Sequence, residues 1–78
     1  MARLRYEIIP VASGWSVNCN STPGPAYSTQ GEAVRDTLAI AEQLRATGDV
    51  VEVRLLDTDQ PGRVWRQLEP QDARLFRR

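Results

Sequence analysis

One long stretch of this chain has helical periodicity, and alternating segments stand on both sides of it. Ala33, Val34, Thr37, Leu38, Ile40, Ala41 and Leu44 fall on one broad apolar stripe, with Glu32, Arg35, Asp36, Glu42, Gln43 and Arg45 opposite. Thr29 followed by Glu32 has the spacing of a capping box, and Gly48 is placed to end the helix in the left-handed region. One helix covers one face of a sheet. Any sheet built from the remaining segments therefore keeps a second face that this helix cannot reach.

Those segments read as strands. Leu4, Tyr6 and Ile8 alternate with Arg3, Arg5 and Glu7, and Pro10 is expected to end the regular pairing. After the link "VASG", where Gly14 is free to take positive φ, Trp15, Val17 and Cys19 alternate with Ser16, Asn18 and Asn20, which predicts a hairpin. In "STPGPAY", Pro23 and Pro25 remove two amide donors, so this link is expected to leave the sheet and lead into the helix. Beyond the helix, Val51, Val53 and Leu55 alternate with Glu52, Arg54 and Leu56. A fourth strand follows in "RVWRQLE", after a turn with Pro61-Gly62 at its centre.

The resulting order is β-β-α-β-β, an α+β domain over 1–69 with a C-terminal tail over 70–78. Placing the third strand beside the first gives a four-stranded sheet of order 2-1-3-4, expected to be antiparallel throughout. The helix-facing side should hold Leu4, Tyr6, Ile8, Trp15, Val17, Cys19, Val51, Val53 and Leu55. The opposite side carries the candidate interaction face: Arg5, Ile9, Asn18, Arg54, Leu56 and Trp65, with Val50 as a possible addition.

Composition narrows the chemistry. At 78 residues the chain has little interior in which to build a deep catalytic cleft. It has no histidine, which removes the commonest general base and metal ligand. Its single cysteine, Cys19, excludes an intrachain disulfide and falls in the core phase of a strand, where a small buried hydrophobe is the better description than a nucleophile. Asp57 and Asp59 flank a turn, where carboxylates commonly bond to nearby amides. The Pro-Gly-Pro link lacks the glycine density and the lysine of a phosphate-binding loop. No catalytic, metal or cofactor-binding residue is expected, and the chain is not read as an enzyme.

The net charge is zero but unevenly spread: +1 over residues 1–31, −4 over 32–59 and +3 over 60–78. All ten basic residues are arginine. A sheet face bearing arginines and a tryptophan is one way to stack nucleic-acid bases, yet Glu7 and Glu52 dilute its positive field. Protein contacts, with another protein or with a second copy in a homodimer, are the favoured use of the face. The N-terminal segment "MARLRYEIIPVASG" has no apolar run long enough for a signal peptide or a membrane span, which makes the cytoplasm the expected compartment and a membrane partner unexpected.

Two resemblances add to this reading. Gly14, Trp15 and Val17 at the start of the second strand, Ser28, Thr29, Gln30 and Ala33 at the helix entry, and the Asp-to-Gly turn between the last strands resemble the bacterial domain of unknown function 2188 family. That resemblance implies a small α+β domain and carries over no catalytic residue. The succession "GWSV", "TPG" and "TQGEAV" is similar to the N-terminal domain of HicB-like antitoxins, which implies a small ribonuclease toxin as partner.

Overall fold

The computed structural model describes residues 2–57 and 64–70. It contains β1 (Arg3–Val11), β2 (Gly14–Cys19), β3 (Ala26–Tyr27), α1 (Gln30–Ala46), β4 (Val50–Asp57) and β5 (Val64–Leu68). The fold is α+β, with five strands in the order β3-β2-β1-β4-β5. The four expected strands keep their expected order. Two features of the expected sheet are corrected: it has five strands rather than four, and β1 pairs with β4 in parallel, Arg3 with Val50 through Ile8 with Leu55. The other pairs are antiparallel.

Both corrections have one cause, the link expected to leave the sheet. After Cys19 the chain turns on two residues in the left-handed region, Asn20 at φ 50° and Ser21 at φ 70°. Cys19 and Thr22 exchange both backbone hydrogen bonds at 2.9 Å, which closes a two-residue hairpin of the type that suits the twist of antiparallel strands. Asparagine tolerates this conformation better than most side chains, and the Asn20 carboxamide oxygen also accepts from the Arg5 amide at 2.9 Å. The chain then returns along β2. The Val17 amide donates to the Pro25 carbonyl, and Ala26 and Tyr27 pair with Ser16 and Trp15. The prolines cost little here because β3 is an edge strand.

Gly14 and Gly24 make this return possible. A Cβ on Gly14, at φ +144°, would lie 2.2 Å from the Tyr27 carbonyl oxygen, and one on Gly24 would lie 2.2 Å from that of Val17. With β3 in place, the helix starts at the end of the sheet where the β1–β2 hairpin closes. It runs back along the sheet, and β4 enters parallel to β1.

The helix ends are built as the sequence predicts. The Thr29 hydroxyl accepts from the Glu32 amide, and the Glu32 carboxylate accepts from the hydroxyls of Ser28 (2.9 Å) and Thr29 (3.2 Å). At the far end Gly48 takes φ +97°, and the amides of Thr47, Gly48 and Asp49 donate to the last-turn carbonyls. Arg45 ties this end to the sheet through the Val51 carbonyl at 2.9 Å.

Between helix and sheet lies the core: Ile8, Val17, Val51, Val53, Leu55 and Leu68 from the strands, with Ala33, Val34, Thr37, Leu38 and Ala41 from the helix. Leu4, Tyr6 and Trp15 are only partly buried against it, and Cys19 is half-buried, because they stand where the helix covers the sheet incompletely. Tyr27 also packs there; burial first, and then the Asp36 carboxylate, push its phenol pKa up. Ile40 turns outward and is 41% exposed, at the margin of a stripe drawn too wide. Pro10 does not end β1. It pairs with Trp15, beyond the last β1–β4 pair, and β1 continues to Val11. The expected Pro61-Gly62 turn, the side chains of Asp57 and Asp59, and the tail beyond Pro70 lie outside what is described.

Candidate functional site

Side chains alternate across a strand, so the register settles which residues share the face opposite the helix. Ile8, Val17, Val53, Leu55 and Leu68 are buried beneath the helix. Their neighbours Glu7, Ile9, Asn18, Arg54, Leu56 and Gln67 therefore point to the other side, and so do Arg5 and Trp65. All six residues of the candidate interaction face stand on it. Among the described residues, no element covers this face.

The face divides into an apolar end and a charged end. Leu56 pairs with Trp65 across β4 and β5, and Ile9 follows the Ile8–Leu55 pair on the adjoining strand, with Ser16 as its β2 partner. Ile9, Leu56 and Trp65 thus lie in one row across the three strands β1, β4 and β5. Ile9 and Leu56 are half-buried by their neighbours, while Trp65 is 38% exposed. Val50 does not join them. It pairs with Arg3 at the opposite end of the sheet, where it is 48% exposed.

Below the apolar row the charges are paired across strands. Arg54 donates to the Glu7 carboxylate, its register partner on β1, and its guanidinium lies over the Trp65 ring with 4.7 Å between the central carbon and the centroid. One row further, Arg5 Nε donates to Glu52 Oε1 at 3.0 Å, and Gln67 Nε2 donates to Glu52 Oε2 at 2.6 Å. The Gln67 hydrogen bond, followed by Arg5, holds the Glu52 carboxyl below its usual pKa range. Asn18 stands beside Glu7 in register and accepts at 3.3 Å from the Ser16 hydroxyl. At the charged end Arg3, Arg5, Asn20, Val50 and Glu52 line an open cleft of about 290 Å³.

Read along the strands, the four charges form a checkerboard. Arg5 and Glu7 follow each other on β1, and Glu52 and Arg54 on β4, with each charge beside its opposite. Sequence reasoning placed Glu7 and Glu52 on this face but treated them as diluting a basic surface. The signal that they are partners lies in the matched spacing: Arg-x-Glu on β1 and Glu-x-Arg on β4 become complementary when those strands adjoin in parallel. Gln67 was missed altogether, since nothing in "RVWRQLE" shows which carboxylate it would meet.

Among the described residues, no group of three or more His, Cys, Asp or Glu side chains is placed to hold a metal ion. Cys19 is a free thiol beside Tyr6, whose phenol pKa is raised by burial first and by the thiol second. No helix among the described residues is long and apolar enough to cross a membrane. Comparison of the chain with protein-family models, curated proteins and solved structures returns no match.

Proposed function

We propose that this chain is a small interaction module that binds protein through its open sheet face. The observation that carries this reading is the gathering of Ile9, Leu56 and Trp65 into one row at the end of a face that the helix cannot reach. An accessible apolar row flanked by polar groups is the anatomy of a protein interface: an aromatic anchor, aliphatic neighbours and a hydrogen-bonding surround. The charge pattern favours protein over nucleic acid. Arg5 and Arg54 each stand beside a carboxylate, so the face alternates in sign and offers no run of positive charge to a phosphate backbone.

Amide NMR of the full labelled chain tests this. Spectra are recorded on concentrating the protein, on adding lysate of the source cell, and on adding short DNA and RNA oligonucleotides at two salt levels. The expected result is that Ile9, Leu56 and Trp65 shift or broaden with protein but not with oligonucleotide. Salt-reversible shifts of Arg5, Asn18 and Arg54 on adding oligonucleotide would replace this reading with a nucleic-acid one. Changes confined to the helix around Ile40 would remove the open face from consideration.

A further inference from the structure

The checkerboard, paired within one chain, can also be matched by a second copy of itself. Consider two open faces stacked with a twofold axis between them, parallel to the strands and midway between β1 and β4. Each residue of β1 then lies opposite the residue of the partner's β4 that is its own register neighbour. Arg5 faces the second copy's Glu52, and Glu7 faces the second copy's Arg54. Ile9 faces the second copy's Leu56, and both apolar rows meet. At the centre of the face the four charges meet their opposites and Ile9 meets Leu56, while Trp65 lies opposite the second copy's Ser16 and Arg3 opposite the second copy's Val50.

We infer that the partner of the open face is a second copy of this chain, joined face to face about a twofold axis that runs along the strands. This rests on the reading of the face as a protein-binding surface and names its occupant. A second in-plane axis, perpendicular to the strands, also matches the four charges, since Arg5 would face the second copy's Glu7. It fails for the apolar row, because Ile9 would then face Arg3. The axis along the strands keeps the four charges matched and sets Ile9 against Leu56 in both directions. Five strands about 4.8 Å apart and about six residues long present roughly 500 Å² per copy. A stable interface takes about 800 Å² per partner, so the dimer is weak, with dissociation in the micromolar to millimolar range.

Analytical ultracentrifugation of the full chain, from about 10 µM to about 1 mM, is the first measurement. A monomer–dimer equilibrium that weakens with added salt is expected, as charged contacts are screened. Leu56→Asp should raise the dissociation constant by about tenfold or more, and Ile40→Asp on the outer side of the helix should leave it unchanged. The double exchange Glu7→Arg with Arg54→Glu keeps the pair within each copy and separates the two axes. It makes β1 uniformly basic and β4 uniformly acidic at these rows, so β1 still faces an opposite charge about the strand-parallel axis but a like charge about the other. Dimerisation that survives the exchange supports the strand-parallel axis, and its loss in a folded protein overturns that geometry.

Isotope-filtered NOEs between labelled and unlabelled wild-type copies need no variant to fold. Contacts from Ile9 of one copy to Leu56 of the other are expected. Contacts through the helix would overturn both this inference and the reading beneath it. A wild-type chain that stays monomeric at about 1 mM would overturn the second copy as occupant alone; the interaction-module reading would then stand or fall on the lysate titration.

Discussion

The guanidinium of Arg54 lies 4.7 Å from the centroid of the Trp65 ring while its terminal nitrogen donates to Glu7, so one side chain joins β1, β4 and β5. The two contacts differ in energy. Glu7 and Arg54 are both largely shielded, with side chains 20% and 24% exposed, whereas Trp65 is more open. Arg54→Ala leaves a shielded carboxylate without its partner and should lower stability by about 2 kcal/mol. Trp65→Ala should cost about 1 kcal/mol, and the coupling between the two in a double-mutant cycle should be about 0.5–1 kcal/mol. Urea unfolding of the three variants measures all of these.

A second prediction concerns Thr37, the one buried polar residue of the core among the described residues. Thr37 is 1% exposed on the buried stripe of the helix, and its hydroxyl has no hydrogen-bond partner. A valine has nearly the same shape without the orphaned oxygen. Thr37→Val should therefore raise stability by about 1 kcal/mol, read as a higher urea midpoint with an unchanged slope. A lower midpoint would mean that the hydroxyl is satisfied in solution.

The main architecture was legible because its signals are local and repeated. Alternation over β1, β2 and β4 and the Thr29-to-Glu32 and Gly48 boundaries each rest on several residues that agree. The return strand was not legible. Two paired residues, Ala26 and Tyr27, have no periodicity, and the two prolines before them argue against a strand. The turn that creates it uses Asn20-Ser21 instead of the Asn-Gly that marks such hairpins. From that omission came the wrong direction for β4. Face assignment survived because it depends on alternation, not on direction. The pairing of Arg5 with Glu52 and of Glu7 with Arg54 did not, because it needs β1 and β4 adjacent, parallel and in register.

If Ser21 is a compromise at its turn position, glycine should improve it. Its φ of 70° is one that an L side chain adopts at some cost, and the turn type favours glycine there. Ser21→Gly is expected to add on the order of 0.5 kcal/mol, less than the full conformational term because glycine also loosens the unfolded chain. Thermal unfolding of the single variant is sufficient to see the sign.

The glycines that let β3 lie against β2 should rank differently from the glycine that ends the helix. A Cβ at Gly14 or Gly24 would meet a backbone carbonyl oxygen at 2.2 Å, which only movement of the strand can relieve, whereas one at Gly48 meets nothing within 4 Å. Gly48→Ala should cost about 1 kcal/mol from its positive φ alone. Gly14→Ala and Gly24→Ala should each cost about 2 kcal/mol or more, with hydrogen exchange of the Val17 amide accelerated because its acceptor, the Pro25 carbonyl, is displaced.

Two carboxylates should set the acid limb of stability. Hydrogen bonds from Ser28 and then Thr29 lower the Glu32 pKa at the helix entry, and those from Gln67 and then Arg5 lower that of Glu52 on the open face. Each folded pKa lies below the unfolded value of about 4.3, so the folded state holds these protons less tightly than the unfolded chain. Their contribution is complete above that value and disappears as the pH falls through the lowered folded pKa. The urea midpoint should therefore stay level from neutral pH to about 5 and fall below about 4. Glu52→Gln should flatten part of that fall while leaving the neutral-pH fold intact. Since Glu52 also faces the second copy in the inferred dimer, self-association should weaken over the same acid range, before the chain itself unfolds.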